Sequence, residues 1–274
     1  MDLKFETIYK NPTSIFSDGT INLKNVTFFD PWSIGMVCLK AIEFKDHPNK
    51  QLILPENADA LSYIKRMHFA KLMSELTYSS FLEKFNNFAV NERENLNICE
   101  IIHCNFRDEF NARLSSKIRV MFKNFGMDDN EEQLATSLVG ELGNNVFDHN
   151  VGSWPTDVHG AIIVAQHYPD IKRIEVSVAD PGVGFLGSLK LARPSLQNDV
   201  DAIKLGLSGV TGRVGEQRGN GLRLIQDWTI NKFNGKVRIH SGSGLVEVDK
   251  KDGIKDWNVH NILGTLAEFV VIYN

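Results

Sequence analysis

The stretch EEQLATSLVGELGNNVFDHN, residues 131–150, carries a carboxylate, carboxamides and an imidazole at helical spacing. On an α-helix Glu141, Asn145 and Asp148 or His149 fall at i, i+4 and i+7 or i+8 and share one face. Ala135, Val139, Leu142 and Val146 form an adjoining apolar stripe, so the helix can pack against a sheet while presenting the polar row. A carboxylate one turn from an amide oxygen can orient a water beside a metal-bound phosphate, and the amide oxygen is a ligand type that magnesium prefers. The same residues also fit a solvated helix face.

A second constellation is VADPGVGF, in which Asp180 ends an apolar strand and Gly182 and Gly184 follow. A strand-end carboxylate can accept the exocyclic amino group of adenine, and the glycines let backbone approach the base and turn sharply. A tight turn is the plain alternative. Gly182, Gly184 and Gly187 also match the dinucleotide pattern G-x-G-x-x-G, with Asp199 and Asp201 as ribose-binding acids. That pattern needs a helix and then a strand ending in the acid, whereas 190–201 holds Pro194 and a polar run. The third constellation is RGNGLRLIQDW, where Gly219 and Gly221 open a helix that presents Leu222, Ile225 and Trp228 to a core. Free amides and the positive dipole end at such an opening suit phosphate oxygens, though two-glycine openings are common. The ordinary P-loop is ruled out, because Gly235-Lys236 is followed by Val237.

The elements that must position these residues alternate between strand and helix. The first third reads as a strand over 21–29, a helix over 30–44 opened by Asp30-Pro31, a strand over 51–55 and a helix over 58–69. After a polar, helix-prone bridge (71–95), an apolar strand runs to Cys104 and helical periodicity returns over 106–125. Asp129 or Asn130 then caps the long helix to about His149. Strands at 161–166 and 174–179 form a hairpin. Glycines at 206, 209, 212 and 215 suit a mobile loop. A helix over 221–233, a strand over 236–240, a turn at Ser241-Gly242-Ser243-Gly244 and a closing strand from Leu266 to Tyr273 complete the reading.

The 274 residues exceed the roughly 100 to 150 of a usual domain, so the expectation is two α/β domains, 1–104 and 105–274. The net charge of -4 argues against a protein that coats nucleic acid or an anionic membrane. No apolar run approaches the ~20 residues of a spanning helix, and charges interspersed over 1–11 do not read as a signal peptide. Three cysteines, Cys38, Cys99 and Cys104, then read as reduced cytoplasmic thiols. Strand alternation would send Cys99 and His103 to one face and Cys104 to the other, which disfavours a zinc site there.

Taken in order, the three constellations and Gly264-Thr265 resemble the GHKL superfamily of ATP-binding domains, shared by gyrase, the heat-shock chaperone of that class, MutL and histidine kinases. The resemblance covers about 105–274: ELGNNVFDHN is similar to the N box, DPGVG to the first glycine box, RGNGL to the second and GTLAEFVV to the final threonine motif. It implies an α/β sandwich of the Bergerat type with a mixed sheet, and a cytoplasmic protein that binds ATP and Mg2+. Asn145 would hold the magnesium, Asp180 the adenine amino group, Gly219 and Gly221 the phosphates, and Thr265 the region of the adenine. The nucleotide-binding set implied in addition is Asp148, His149, Gly182, Gly184 and Leu222. Residues 185–218 would form the ATP lid, from which Arg213 and Arg218 could neutralise phosphate charge.

Glu141 resembles the base of the gyrase-type and MutL-type ATPases and of the anti-sigma serine kinases, and Asp148-His149 combines features of both branches. His68 lacks the acidic and arginine neighbours of a phosphoacceptor histidine. The front, about 21–73, resembles STAS domains, but Trp32 stands where that family places a phosphorylatable serine and Ser33 is displaced by one, so an interaction surface is the implied use. The leading expectation is a Mg-ATP switch or ATPase coupled to that STAS-like part, acting with a protein partner or as a homodimer. The alternatives are an anti-sigma-type serine/threonine kinase and a non-catalytic ATP-binding module.

Overall fold

The computed structural model describes residues 1–78, 85, 97–150, 152–190, 192–210 and 221–273, the side chains of 111–116 excepted. The molecule is a mixed α/β protein. Its first part contains β1 (Asp2–Leu3), α1 (Phe5–Ile8), β2 (Phe16–Ser17), β3 (Thr20–Asn22), β4 (Phe28–Phe29), α2 (Pro31–Glu43), β5 (Gln51–Ile53), α3 (Ala58–Arg66) and α4 (Phe69–Glu75). The expected strand over 21–29 is two strands. A turn closed by Val26 N–H donating to Leu23 O ends β3, and β4 then pairs with β1 instead of continuing the same ladder. β3 and β5 run parallel, as a crossover through a helix requires, while β2 is antiparallel to β3, so this small sheet is mixed.

α2 starts where Asp30-Pro31 directs it: the Asp30 carboxylate accepts from Ser33 N–H at 2.8 Å, and the Ser33 hydroxyl lies 3.1 Å from Asp30 N. That capping box takes up the Ser33 side chain, and both Trp32 and Ser33 are fully buried. The helix expected over 58–69 breaks at His68, which takes a left-handed φ of 56°. The break frees the Met67 carbonyl to accept from Ile101 N–H.

The second sheet is built from β6 (Ile98–Cys104), β7 (Ala161–Tyr168), β8 (Arg173–Asp180), β9 (Lys236–Asp249) and β10 (Gly253–Ile272), in the order β6-β7-β8-β10-β9. The mixed sheet expected for this part is antiparallel in every pairing. The crossover after β8 delivers β9 parallel to it, but β10 folds back by hairpin into the gap and separates the two. The supposed turn at 241–244 is also strand. β9 continues through it with a bulge, Gly242 at φ +57° and the β9–β10 register shifting on either side, and Gly242 and Gly244 provide room for Asp199 and the Val200 backbone, which a Cβ would strike at 2.4 to 2.6 Å. β10 accordingly begins at Gly253, well before Leu266.

Four helices, α5 (Arg107–Asn124), α6 (Asp129–Asn150), α8 (Asp199–Leu207) and α9 (Gly221–Asn231), pack on one face of this sheet, and α7 (Gly184–Lys190) follows β8. Asp128 caps α6, one residue before the expected cap, its carboxylate accepting from Asn130 and Glu131 N–H at 2.8 Å. Strand alternation splits the core in two: Ile163, Ala165, Val176 and Phe269 face those helices, while Ile162, Val164, Ala179 and Leu266 face α2 and the first part of the chain. β6 carries a register shift between Cys99 and Ile102, which puts Cys99 and Cys104 against the same core, not on opposite faces. All three cysteines are buried and free. No helix among the described residues is long and apolar enough to cross a membrane.

Candidate functional site

The sequence-derived residues converge beside α6. Ala135, Leu138, Val139, Leu142 and Val146 are buried against the sheet, which fixes the helix rotation. Gly143 lets it lie tight on α5, since a Cβ there would sit 1.6 Å from the Phe110 ring. The resulting cleft encloses about 640 Å³, part of it open solvent. Val178, Asp180, Thr265 and Ala267 form its floor; α6 supplies Leu142, Asn145, Val146, His149 and Asn150. Phe185, Ser188 and Leu189 of α7 close the other side, with Gly206, Val210 and Leu222 at the margin.

Asp180 is the last residue of β8 and only 6% exposed. Its Oδ1 accepts from Gly182 N–H (2.9 Å) and from Asn150 Nδ2 (3.1 Å). Burial pushes its carboxyl up to about 7, against the lowering effect of those two donors. Thr265 stands opposite it in the β8–β10 register. The backbone is close here: Gly264 has φ +74°, and a Cβ on it would lie 1.9 Å from Asp180 O. Gly184 has φ +70°, with Ser241 Oγ 2.7 Å from where its Cβ would be. Ser241 Oγ accepts from Phe185 N–H at 2.9 Å and lies 3.3 Å from Thr265 Oγ1, tying α7 and β10 together under the cleft.

Glu141 lies against the first turn of α9, its Oε2 2.6 Å from the Cβ position of Gly221, with Asn145 Nδ2 3.9 Å from the same point. Only glycine leaves that carboxylate its place. Asn145 Nδ2 is buried and has no hydrogen-bond partner among the described residues, which in a native interior calls for a ligand or water. His149 Nδ1 is 2.9 Å from Ser188 Oγ, across the cleft. Asp148 does not line the cleft; it pairs with Arg107 at 2.6 Å. Arg213, Arg218 and Gly219 lie outside the described residues.

The expected loop character of the 185–218 stretch does not extend to its helical parts. Asn198 caps α8 by accepting from Asp201 N–H, Val200, Ile203 and Leu207 are buried, and Gly206 is a helix residue whose missing Cβ makes room for Phe185 at 2.5 Å. Asn150 and Ser241 were not legible as site residues. Asn150 reads as a helix end, and the strand under Ser241 was masked by its glycines.

Chemically, the cleft offers a buried acceptor at the end of apolar walls, suited to a flat ring carrying an N–H donor. The amide of Asn145 lies at the other end, beside a carboxylate and a helix opening. No protein-family model matches the chain, and no curated protein matches it.

Proposed function

We propose that the cleft binds ATP with magnesium and that the protein is a GHKL-type nucleotide switch or ATPase. The observation that carries this reading is Asp180: a buried strand-end carboxylate, oriented by two donors, at the end of a cleft lined mainly by apolar side chains. The adenine amino group would donate to it while the ring lies between Val178, Ala267, Leu142 and Leu189. Convergence on this cleft of Asn145, Asp180, Leu222 and Thr265, one from each motif and far apart in sequence, supports the same reading.

An amide turned end for end presents its oxygen where Asn145 Nδ2 has no partner among the described residues, so Asn145 fits a magnesium ligand. Magnesium, when bound, would neutralise charge on the phosphates. The backbone N–H groups that open α9 would donate hydrogen bonds to phosphate oxygens. Glu141, one turn from Asn145, would orient or deprotonate the attacking water. α2, packed on the reverse of the same sheet, gives the STAS-like part a direct mechanical link to the site.

Titration calorimetry of wild type and Asp180→Asn with ATP and GTP tests the assignment. ATP is expected to bind the wild type in preference to GTP, and the variant to lose most ATP affinity while melting normally. Unchanged ATP affinity in the variant, or equal GTP affinity in the wild type, would refute it. Incubation with labelled Mg-ATP then separates activities: free phosphate marks an ATPase, labelled protein a kinase.

A further inference from the structure

Asn150 ends α6 and is 4% exposed, yet both ends of its amide are engaged. Nδ2 donates to Val146 O (2.8 Å) and to Asp180 Oδ1 (3.1 Å), while Oδ1 accepts from Val183 N–H (2.9 Å). The partners fix the amide orientation, because a carbonyl and a carboxylate need donors and a backbone N–H needs an acceptor. Gly182 packs directly on this side chain, with no room for a Cβ. Both donors to Asp180 converge on Oδ1, and Oδ2 has no hydrogen bond from a described residue.

We propose that Asn150 is the residue that positions Asp180 for base selection: by clamping Oδ1 it leaves Oδ2 to the ligand as an acceptor only, which selects an amino group at the base's C6 position and rejects a carbonyl there. The inference rests on the adenine-nucleotide reading above. A carboxyl free to protonate would instead donate to the C6 carbonyl of guanine and erase the choice. Burial pulls Asp180 that way, and the donors from Asn150 and Gly182 oppose it.

Few other charges bear on the group. Among the described lining residues His149 is the one other titratable side chain, and it faces Ser188. On α6 Asp148 is engaged by Arg107; from α8 Asp199 is held by Ser243. β10 sets Thr265 opposite, and β9 contributes Ser241. On the reverse of the sheet α2 places Gly35 against Ala179 and Leu266, with its Lys40 bound to Glu43 and to Asn261 O.

The test is calorimetric titration of wild type, Asn150→Leu and Asn150→Ser with ATP and GTP from about pH 6 to 9, with thermal melts of each protein. The side-chain carboxyl of Asp180 is followed in parallel by carbon NMR in the free proteins. Asn150→Leu is expected to lose about tenfold or more of the ATP-over-GTP preference near pH 7.5 and to shift the Asp180 titration upward by about one pH unit, a tenfold change in its ionisation equilibrium. Asn150→Ser, which keeps an O–H donor, is expected to recover part of both. Should the leucine variant fail to melt cooperatively, the serine variant decides by the size of its shift. Folded variants with wild-type preference and wild-type titration overturn the inference alone. A folded leucine variant that binds neither nucleotide at any pH also overturns it, since Asn150 would then only hold the turn. Wild type that binds neither nucleotide overturns the adenine reading and this inference with it.

Discussion

Glu141, Asn145 and His149 were legible because helical spacing alone puts them on neighbouring lines of α6. Asp148 was not separable from His149 by spacing, and the reason is angular. At roughly 100° per residue, the lining positions 142, 145, 146, 149 and 150 centre on a line about 70° round from Asn145, which leaves Asp148 about 130° away, towards Arg107. Glu141 lies on the same flank and reaches the site only where it meets Gly221. This separation gives the two residues different expected phenotypes. Glu141→Ala should retain Mg-ATP binding and lose turnover by about a hundredfold, the size expected of a general base. Asn145→Ala should weaken magnesium-dependent binding itself. Phosphate release and calorimetry on both variants check this; a Glu141→Ala protein as active as wild type would leave Glu141 a structural neighbour of α9.

At the scale of elements, the long helices α2, α5, α6 and α9 and the β7–β8 hairpin followed from periodicity, whereas α7 and α8 did not, and glycine was misleading where it served packing. Gly206 and Gly242 to Gly244 resemble loop punctuation in sequence. In the fold they are the points where α8 meets α7 and β9, and a one-dimensional pattern does not reveal which neighbour will come close. The glycines themselves sort into two classes by their surroundings. Gly264 combines φ +74° with a Cβ position 1.9 Å from Asp180 O, so Gly264→Ala should cost roughly 2 kcal/mol or more and abolish nucleotide binding. Gly140 lies inside α6 with open space around its Cβ position, and Gly140→Ala should stabilise by about 0.5 to 1 kcal/mol. Urea denaturation of the two variants checks both signs.

For the whole molecule, buried titratable groups set a pH window. Burial lowers His240 to about 3 and His260 to about 4, from an ordinary 6.5. The unfolded chain therefore takes up protons first as pH falls below about 6.5, and stability declines on the acid side. Asp30, Asp180, Glu175 and Glu268 are raised, chiefly by burial. Their contribution is complete below the ordinary carboxylate range and is lost as pH rises through their folded values, about 7 for Asp180. Asp180→Asn is therefore expected to flatten the fall in melting temperature between about pH 4 and 7; scanning calorimetry across pH checks it. The sheet also joins the two parts of the chain. A fragment beginning at 105 would lack β6 and uncover Ile162, Val164, Ala179 and Leu266, and is expected to aggregate when expressed alone, as sedimentation would show.

The contact of α2 with the sheet has a historical consequence. Gly35 is so close to Leu266 that a Cβ would lie 2.7 Å from Leu266 Cδ1, and Leu266 is the residue next to Thr265 in the cleft floor. A larger side chain at position 35 would press on Leu266 Cδ1, so a compensating reduction at 266 is expected to accompany it. Descendants of this chain that keep the cleft are therefore expected to vary positions 35 and 266 together, as one unit of substitution bridging the two faces of the sheet.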